Sequence, residues 1–547
     1  ISGSPDGYTL LLVVIIRDSG MMASFEVRHK DLLGRIGLLS VRGKTVETPA
    51  FVPVISPVHQ TIPAWEMKRD FGCGIVITNS FIMFKRLAAE AVGRGVHNII
   101  GFDGIVATDS GGFQVLEYGD VDVGPLEIAR FQEDIGSDIA IPLDRPTGLS
   151  RRAEAEKTVE DTLANVGATM EYLGSGRRSA WAAPIQGGLF EDLVERCIQE
   201  YGRYNFDLYT LGSPTPLMES YLYDKLVTMI SYTRRRIDPG KALHLFGAGH
   251  PMLFALAAAL GCDTFDSAAY ILFAREDRYM VSEGTFRVEQ LNYLPCECKI
   301  CSSISAAELK DLRGEERVKA LAYHNLSVCF REVNTIKQAI WEGRLFELLE
   351  RRARSHPALF QAFRRMLSDE PLTDLMERNT PISKRRGLFL FDMTSLSRPE
   401  VRRAVRMLDM LEVNKHGYGS AILIPRRVVN TKRLDSIMGR LKAVTGLEKF
   451  EVFTYGSPLG LIPLHLSHTY PFSQTVFPET LLEECEERVF KMAVETLRKG
   501  GFTNVYILRW GSEPARGYLR RLHAHLTAEL RDVDIRICSV KRGLSRN

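Results

Sequence analysis

The sequence predicts an α/β protein: a (β/α)8 TIM barrel with a cysteine-rich insertion, followed by small α/β C-terminal domains. Three observations predict this fold. Eight short β-rich runs recur within about the first 270 residues, separated by segments long enough for helices. Small or polar residues follow seven of these runs, as they do at the mouth of a barrel. From about Gly387 a second alternation of strands and helices begins. A doubly wound parallel sheet is the alternative for the first part.

The predicted elements follow each other along the chain. The strands cover residues 51–55, 74–79, 104–108, 138–143, 179–185, 206–211, 242–246 and 264–265, and the clearest helices cover 151–172, 191–201, 218–236 and 252–260. The expected domains are an extension outside the fold (1–20), the barrel (21–350) with a cysteine-rich subdomain around 290–330, a helical linker (351–385), and two α/β modules (386–455 and 456–547).

The composition is that of an ordinary globular protein. The chain has 547 residues, 45% of them hydrophobic and 25% charged, which argues against disorder and against a collagen-like or disulfide-stapled chain. No run reaches the roughly 18 apolar residues that a membrane span needs. Three of the nine cysteines crowd into residues 296–301, which indicates a reduced compartment and a metal. We therefore expect a cytoplasmic protein.

Charge is distributed unevenly along the chain. Residues 351–547 contain 34 Lys and Arg against 21 Asp and Glu, a net charge of +13, whereas residues 1–350 contain 36 against 46, a net of −10. A basic C-terminal part indicates an anionic partner, with nucleic acid as the leading candidate. The alternative is a set of solvated helix faces. The candidate RNA contacts are Arg426, Arg427, Lys432, Arg433, Arg516, Arg520 and Arg521.

The strongest local signal is a group of potential metal ligands. Cys296, Cys298 and Cys301 follow a Cys-x-Cys-x2-Cys spacing, and His324 comes 23 residues later. Three thiolates and one imidazole suit a single tetrahedral Zn²⁺ in a closed, structural site. Buried free cysteines with an unrelated histidine are the alternative, and Cys329 is a competing ligand.

Two carboxylates follow predicted strands three and eight. Asp109 precedes the Ser110-Gly111-Gly112 turn, and Asp266 lies in a Phe265-Asp266-Ser267 turn. At a barrel mouth the two side chains would face one pocket, where paired carboxylates carry out glycosyl chemistry. Breaking an N-glycosidic bond builds positive charge at C1′, which a carboxylate can stabilise or trap. The alternative role of each aspartate is a loop or helix cap.

A third group of residues could hold a flat polar ring. Phe113 and Phe246 offer stacking faces, while Ser110, Asp144 and Gln186 offer hydrogen bonds to a purine edge. The glycine pairs 111–112 and 187–188 would let a ligand approach backbone amides.

These motifs together resemble the tRNA-guanine transglycosylases over roughly residues 24–350. The resemblance rests on residues 108–114, the Gln186-Gly187-Gly188 turn, the Asp266 turn and the cysteine motif, which occur in the family's order. Residues 244–251, 266–270 and 470–474 are similar to the archaeal branch. Members of that branch often carry a further RNA-binding domain of the pseudouridine-synthase-and-archaeosine type, which we expect to be absent here or supplied by a separate chain.

The resemblance implies exchange of guanine 15 in the tRNA D-loop for 7-cyano-7-deazaguanine (preQ0), in archaeosine biosynthesis. It implies that Asp266 is the nucleophile, with the RNA held as a covalent intermediate, and that Asp109 is the general acid/base. Phe113 and Phe246 would sandwich the base, and Ser110, Asp144, Gln186 and the backbone at Gly212 would read it. It also implies zinc on Cys296, Cys298, Cys301 and His324, and a homodimer.

Three other functions compete with this interpretation. A queuine-type transglycosylase would use the same chemistry at the anticodon wobble position, against which the basic C-terminal part argues. A non-catalytic tRNA-binding subunit would not need both Asp109 and Asp266. A metal-dependent barrel hydrolase would need His and carboxylate ligands at the strand ends, and no His-x-His pair occurs there.

Overall fold

A computed structural model of the protein describes residues 22–112, 123–429, 434–510 and 517–539. The predictions for residues 1–20 and for Phe113, Lys432, Arg433 and Arg516 lie outside these ranges. Within them, no helix combines the length and the apolar character that crossing a bilayer requires.

Eight parallel strands close into a barrel, which confirms the predicted fold class. In chain order they are β4 (Ala50–Ile55), β5 (Ile75–Asn79), β6 (Ile105–Asp109), β7 (Ile139–Ala140), β8 (Ala180–Ile185), β9 (Leu208–Leu211), β10 (Leu243–Leu245) and β11 (Thr264–Ser267). Every predicted run overlaps one of them. The doubly wound alternative is excluded because β11 pairs with β4 and closes the ring.

Helices follow the barrel strands. They are α1 (Ala64–Phe71), α2 (Ser80–Arg94), α3 (Val96–Ile100), α4 (Pro125–Asp134), α5 (Arg152–Leu173), α6 (Glu191–Tyr201), α7 (Thr215–Glu219), α8 (Tyr223–Arg234), α9 (Phe254–Ala259) and α10 (Ala269–Arg275). Local sequence sets their ends: the Asn79 side chain accepts a hydrogen bond from the Ile82 amide at the start of α2, and Gly72, with φ of 68°, ends α1.

A three-stranded antiparallel sheet that the sequence analysis did not predict precedes the barrel. It consists of β1 (Ala23–Asp31), β2 (Gly34–Val41) and β3 (Lys44–Thr48). Leu39 and Val41 of this sheet pack in one apolar cluster with barrel residues such as Ile77, Ile105 and Ala182. Apolar side chains therefore fill one end of the barrel, and the polar strand ends lie at the other.

The insertion after the barrel contains a hairpin and a long helix. The elements are β12 (Arg278–Val281), β13 (Gly284–Arg287), α11 (Ala306–Asp311) and α12 (Gly314–Glu342). The helices α13 (Leu345–Ala353), α14 (Pro357–Ser368) and α15 (Glu370–Asn379) come next. Phe346, Phe363 and Met376 of these helices belong to the same apolar core as the barrel. The segment expected to be a linker is therefore packed structure, because its helices bury apolar faces against the barrel.

The C-terminal strands form one main sheet rather than two modules. Its order is β17 (Ile462–Pro463), β16 (Glu451–Tyr455), β15 (Ser420–Pro425), β19 (Asn504–Arg509) and β20 (Asp534–Ser539). A pair of short strands, β14 (Leu388–Phe389) and β18 (Thr475–Val476), also joins the two expected modules. The boundary expected at 455/456 is wrong because the central strand β15 pairs with strands on both sides of it in sequence.

Helices cover this sheet, and buried ion pairs join the C-terminal region to the barrel. The helices are α16 (Pro399–Met410), α17 (Arg426–Val429), α18 (Leu434–Thr445), α19 (Glu479–Glu484), α20 (Glu486–Gly500) and α21 (Tyr518–Glu529). Lys384 pairs with Asp31 of β1 at 2.8 Å and with Glu400 of α16. Arg398 pairs with Glu347 of α13 at 3.3 Å. Since buried charges need nearby partners, separating the two parts would leave these charges unpaired.

Candidate active site

A cavity of about 880 Å³ opens at the carboxyl ends of the barrel strands. Residues from the carboxyl ends of most of the strands, and from the loops after them, line it, including Asp109, Asp144, Gly212, Phe246 and Asp266. Five of the residues singled out in the sequence therefore line the same cavity. The barrel topology brings them together, because parallel strands present all their carboxyl ends on one face.

Asp109 is the last residue of β6 and lines this cavity. Burial, together with the negative charges of Asp144 and Asp266, raises the pKa of its carboxyl to about 7. The amide of Asn79, at the end of the neighbouring strand β5, donates to the Asp109 carboxylate at 3.3 Å. A carboxyl with a pKa near neutrality can both donate and accept a proton at physiological pH.

Asp266 lies on β11 and is 7% exposed. Its Oδ1 atom accepts from the Gly247 amide at 2.7 Å and contacts His244 Nε2 at 3.1 Å. The other ring nitrogen of His244 contacts the Thr264 hydroxyl at 2.9 Å. Within the described residues, both polar contacts of the Asp266 carboxylate are made by Oδ1. The Oδ2 atom is therefore the oxygen available to a substrate. These contacts fix the orientation of the carboxylate in the cavity wall.

Asp144 and Gln186 form a fixed polar pair. Gln186 Nε2 donates to Asp144 Oδ2 at 2.6 Å, while the Gln186 carbonyl oxygen accepts from the Thr147 amide at 3.0 Å and the Ser213 hydroxyl at 2.9 Å. Burial raises the pKa of Asp144 to about 6, although the bond from Gln186 opposes the shift. The orientation of the amide is therefore determined, and it presents Asp144 to the cavity.

Glycines make room for this pair. A Cβ atom on Gly212 would lie 2.1 Å from Gln186 Nε2, and one on Gly112 would lie 2.1 Å from Asp144 Oδ1. Any side chain at either position would displace a member of this polar pair.

Phe246 lines the cavity and contacts the His244 ring edge-on at 4.9 Å. Ser110 and Gln186 are buried and do not belong to the described cavity lining; the Ser110 hydroxyl donates to the Pro142 carbonyl at 3.1 Å. Both residues thus lie behind the wall that Asp144 and Gly212 present.

The four predicted metal ligands lie together beside the barrel. The ligand atoms of Cys296, Cys298, Cys301 and His324 all lie within 4.8 Å of one another, so the cluster can hold one metal ion. His324 Nε2 lies 2.8 Å from the Met280 carbonyl, to which it must donate, and this leaves a lone pair on Nδ1. That Nδ1 atom is 3.3 Å from Cys301 Sγ and 3.6 Å from Cys298 Sγ.

Comparison with known proteins places the chain in a family. The family model described as "Queuine tRNA-ribosyltransferase" matches residues 31–358, more than half of the chain. The chain belongs to the tRNA-guanine transglycosylase family. It is 41% identical to the "tRNA-guanine(15) transglycosylase" of Methanosarcina barkeri over 84% of this chain and 89% of that one. It is 40% identical to the protein of the same name from Aeropyrum pernix, over 88% and 93% of the two chains.

Sequence reasoning did not predict several contacts that hold the two aspartates of this site. His244 and the Gly247 amide hold Asp266, and Asn79 contacts Asp109. Asn79 carried a signal, because it ends a strand next to the one that bears Asp109. His244 lies inside a strand, where the pattern indicates only an inward or outward face.

Proposed function

We propose that this protein exchanges guanine 15 of the tRNA D-loop for preQ0 in archaeosine formation. The observation that carries the proposal is the convergence of Asp109, Asp144 and Asp266 on one cavity at the barrel mouth. The family membership and the names of the relatives support tRNA as the substrate.

The arrangement suits a double displacement. Asp266 Oδ2 attacks C1′ of the nucleotide, and the C1′–N9 bond breaks as Asp109 transfers its proton to the departing guanine. The ribose is then held on Asp266 as an ester. Incoming preQ0 loses its N9 proton to Asp109, attacks C1′ and releases Asp266. Two successive inversions retain the configuration at C1′, and the reaction needs no oxidant and no nucleoside triphosphate.

The polar pair explains why both bases fit one site. Guanine and preQ0 share the 2-amino-6-oxo edge and differ at position 7 of the five-membered ring. The Asp144 carboxylate can accept hydrogen bonds from the N1 and 2-amino groups of either base. We assign the flat faces of the base to Phe246 and Phe113, and the support of its edge to Ser110, Gln186 and Gly212.

We further propose that Cys296, Cys298, Cys301 and His324 hold one Zn²⁺ ion. Three thiolates and an imidazole whose other nitrogen is already bonded fit a closed tetrahedral zinc site. The role of the metal would be structural.

We also propose that the protein acts as a homodimer in the cytoplasm, and that basic C-terminal residues such as Arg520 contact tRNA phosphates.

An incorporation assay tests this function. Labelled preQ0 should enter a wild-type tRNA transcript and displace guanine, whereas a transcript with adenine at position 15 should take up less than about 1% as much. A transcript with an altered wobble base should react normally. Dependence on the wobble base would favour the queuine-type alternative, and no incorporation by the isolated chain would favour the non-catalytic subunit.

Asp109 should make the first half-reaction depend on pH. Because burial and two neighbouring charges raise its pKa to about 7, the acid form that protonates guanine is present below pH 7 and is lost above it. In single-turnover experiments, we expect the apparent second-order rate constant for guanine release to be constant below about pH 7. Above that pH it should fall about tenfold per pH unit. Asp109→Asn should be about 10²- to 10⁴-fold slower and should lack this slope. A wild-type profile that stays flat to about pH 8.5 would contradict the assignment.

A further inference from the structure

We propose that Tyr221 and His356 form a stacking platform for an RNA base next to the exchanged guanine. The proposal rests on the proposed function, since it concerns how the tRNA sits at the cavity. The two rings stack on each other with centroids 5.0 Å apart and planes 27° from parallel, and both residues line the cavity.

The two rings come from separate parts of the fold, and other residues fix the position of each ring. Tyr221 lies between α7 and α8, whereas His356 directly precedes α14, outside the eight barrel units. His356 Nδ1 accepts from the Ala358 amide at 3.2 Å and so caps α14. The buried Tyr223 ring lies 5.8 Å from the Tyr221 ring. The pair is therefore positioned before any ligand arrives.

Tyr221 has two properties that a purely structural residue would avoid. It remains 50% exposed although its ring is large and apolar. Its backbone also has a φ of 55°, a left-handed conformation that costs free energy for residues other than glycine. An exposed ring kept at a strained position on a cavity wall indicates a contact with a ligand.

The chemistry of the reaction identifies that ligand as a nucleobase. An enzyme that reacts at C1′ must draw its target nucleotide out of the base stack, which leaves the neighbouring bases without a stacking partner. Aromatic side chains receive such unstacked bases in RNA-binding proteins, and they do so whatever the base because every base has a flat π face. A nucleotide adjacent to the one in the cavity would reach the rim, where Tyr221 is exposed.

The first test is Tyr221→Gly. Glycine accepts a positive φ, so this variant removes the ring without adding backbone strain. We expect KM and Kd for tRNA to rise about 5- to 100-fold, the usual effect of losing one base stack. The KM for preQ0 should stay within about twofold, and Tyr221→Phe and Tyr221→Trp should behave like the wild type. Tyr172→Ala, at an equally exposed tyrosine that does not line the cavity, is the matched control.

The decisive test combines this variant with tRNA transcripts that lack one base, on either side of guanine 15. One abasic transcript should weaken wild-type binding about as much as Tyr221→Gly does, and should weaken binding to Tyr221→Gly no further. Additive losses, or an unchanged Kd for Tyr221→Gly, would overturn the platform. Binding is measured independently of exchange, so a wild-type enzyme that binds tRNA but exchanges no guanine would instead refute the proposed function.

Discussion

Asp266→Asn is expected to abolish base exchange, with a fall in kcat of at least about 10⁴-fold, and to leave no covalent RNA adduct on denaturing gels. The reason is chemical, because an amide cannot attack C1′ and hold the ribose. The fold should survive the change. The side-chain carbonyl of asparagine can still accept from the Gly247 amide and from His244, which are the two contacts of Oδ1.

Binding measurements separate this effect from misfolding. Asp266→Asn should bind tRNA with an affinity within a few-fold of the wild type, since it removes no RNA-binding ring or cation. Asp192→Asn, at an exposed aspartate of α6 that pairs with Arg152, is a matched control and should exchange guanine normally. An Asp266→Asn enzyme that still exchanges guanine at about a tenth of the normal rate would refute the assignment of Asp266 as the nucleophile.

Loss of one metal ligand is the second large effect that we expect. Elemental analysis after dialysis should find about one metal ion per chain in the wild type. The Cys301→Ser and His324→Ala variants should retain almost none. Structural zinc in small domains supplies roughly 10–16 kcal/mol of binding free energy, so residues 291–313 should become open to proteolysis when the metal is lost. That segment contains the three cysteines, whereas His324 lies on α12.

The loss should also reach the active site. His324 contacts the Met280 carbonyl of β12, and Gly284 at the turn of the same hairpin accepts from His250 at 2.8 Å. Gly284 and His250 line the cavity, so a loosened hairpin should raise KM for tRNA. Cys329→Ala is the control, because Cys329 is buried on α12 outside the cluster. A Cys301→Ser protein that keeps one ion and normal protease resistance would contradict the ligand assignment.

Much of the site could be predicted because its signals are local. Asp109 and Asp266 each lie near the carboxyl end of a strand, and barrel topology brings strand ends together without any knowledge of side-chain packing. The candidate metal ligands could be recognised because three of them lie within six residues and thiolates have few other reasons to cluster. The contacts of Asp266 with His244 and of Tyr221 with His356 could not be predicted, because they depend on side-chain directions across separate elements.

The sequence by itself determined the eight barrel strands, the carboxylates at their ends and the composition of the metal cluster, since each follows from short-range pattern. Only the tertiary structure decided that α13–α15 complete the barrel core and that strands 80 residues apart, β15 and β19, share one sheet. The physical reason is that an apolar helix face or strand edge specifies burial and pairing but not the partner. Partners are chosen by long-range packing, which a linear pattern does not record.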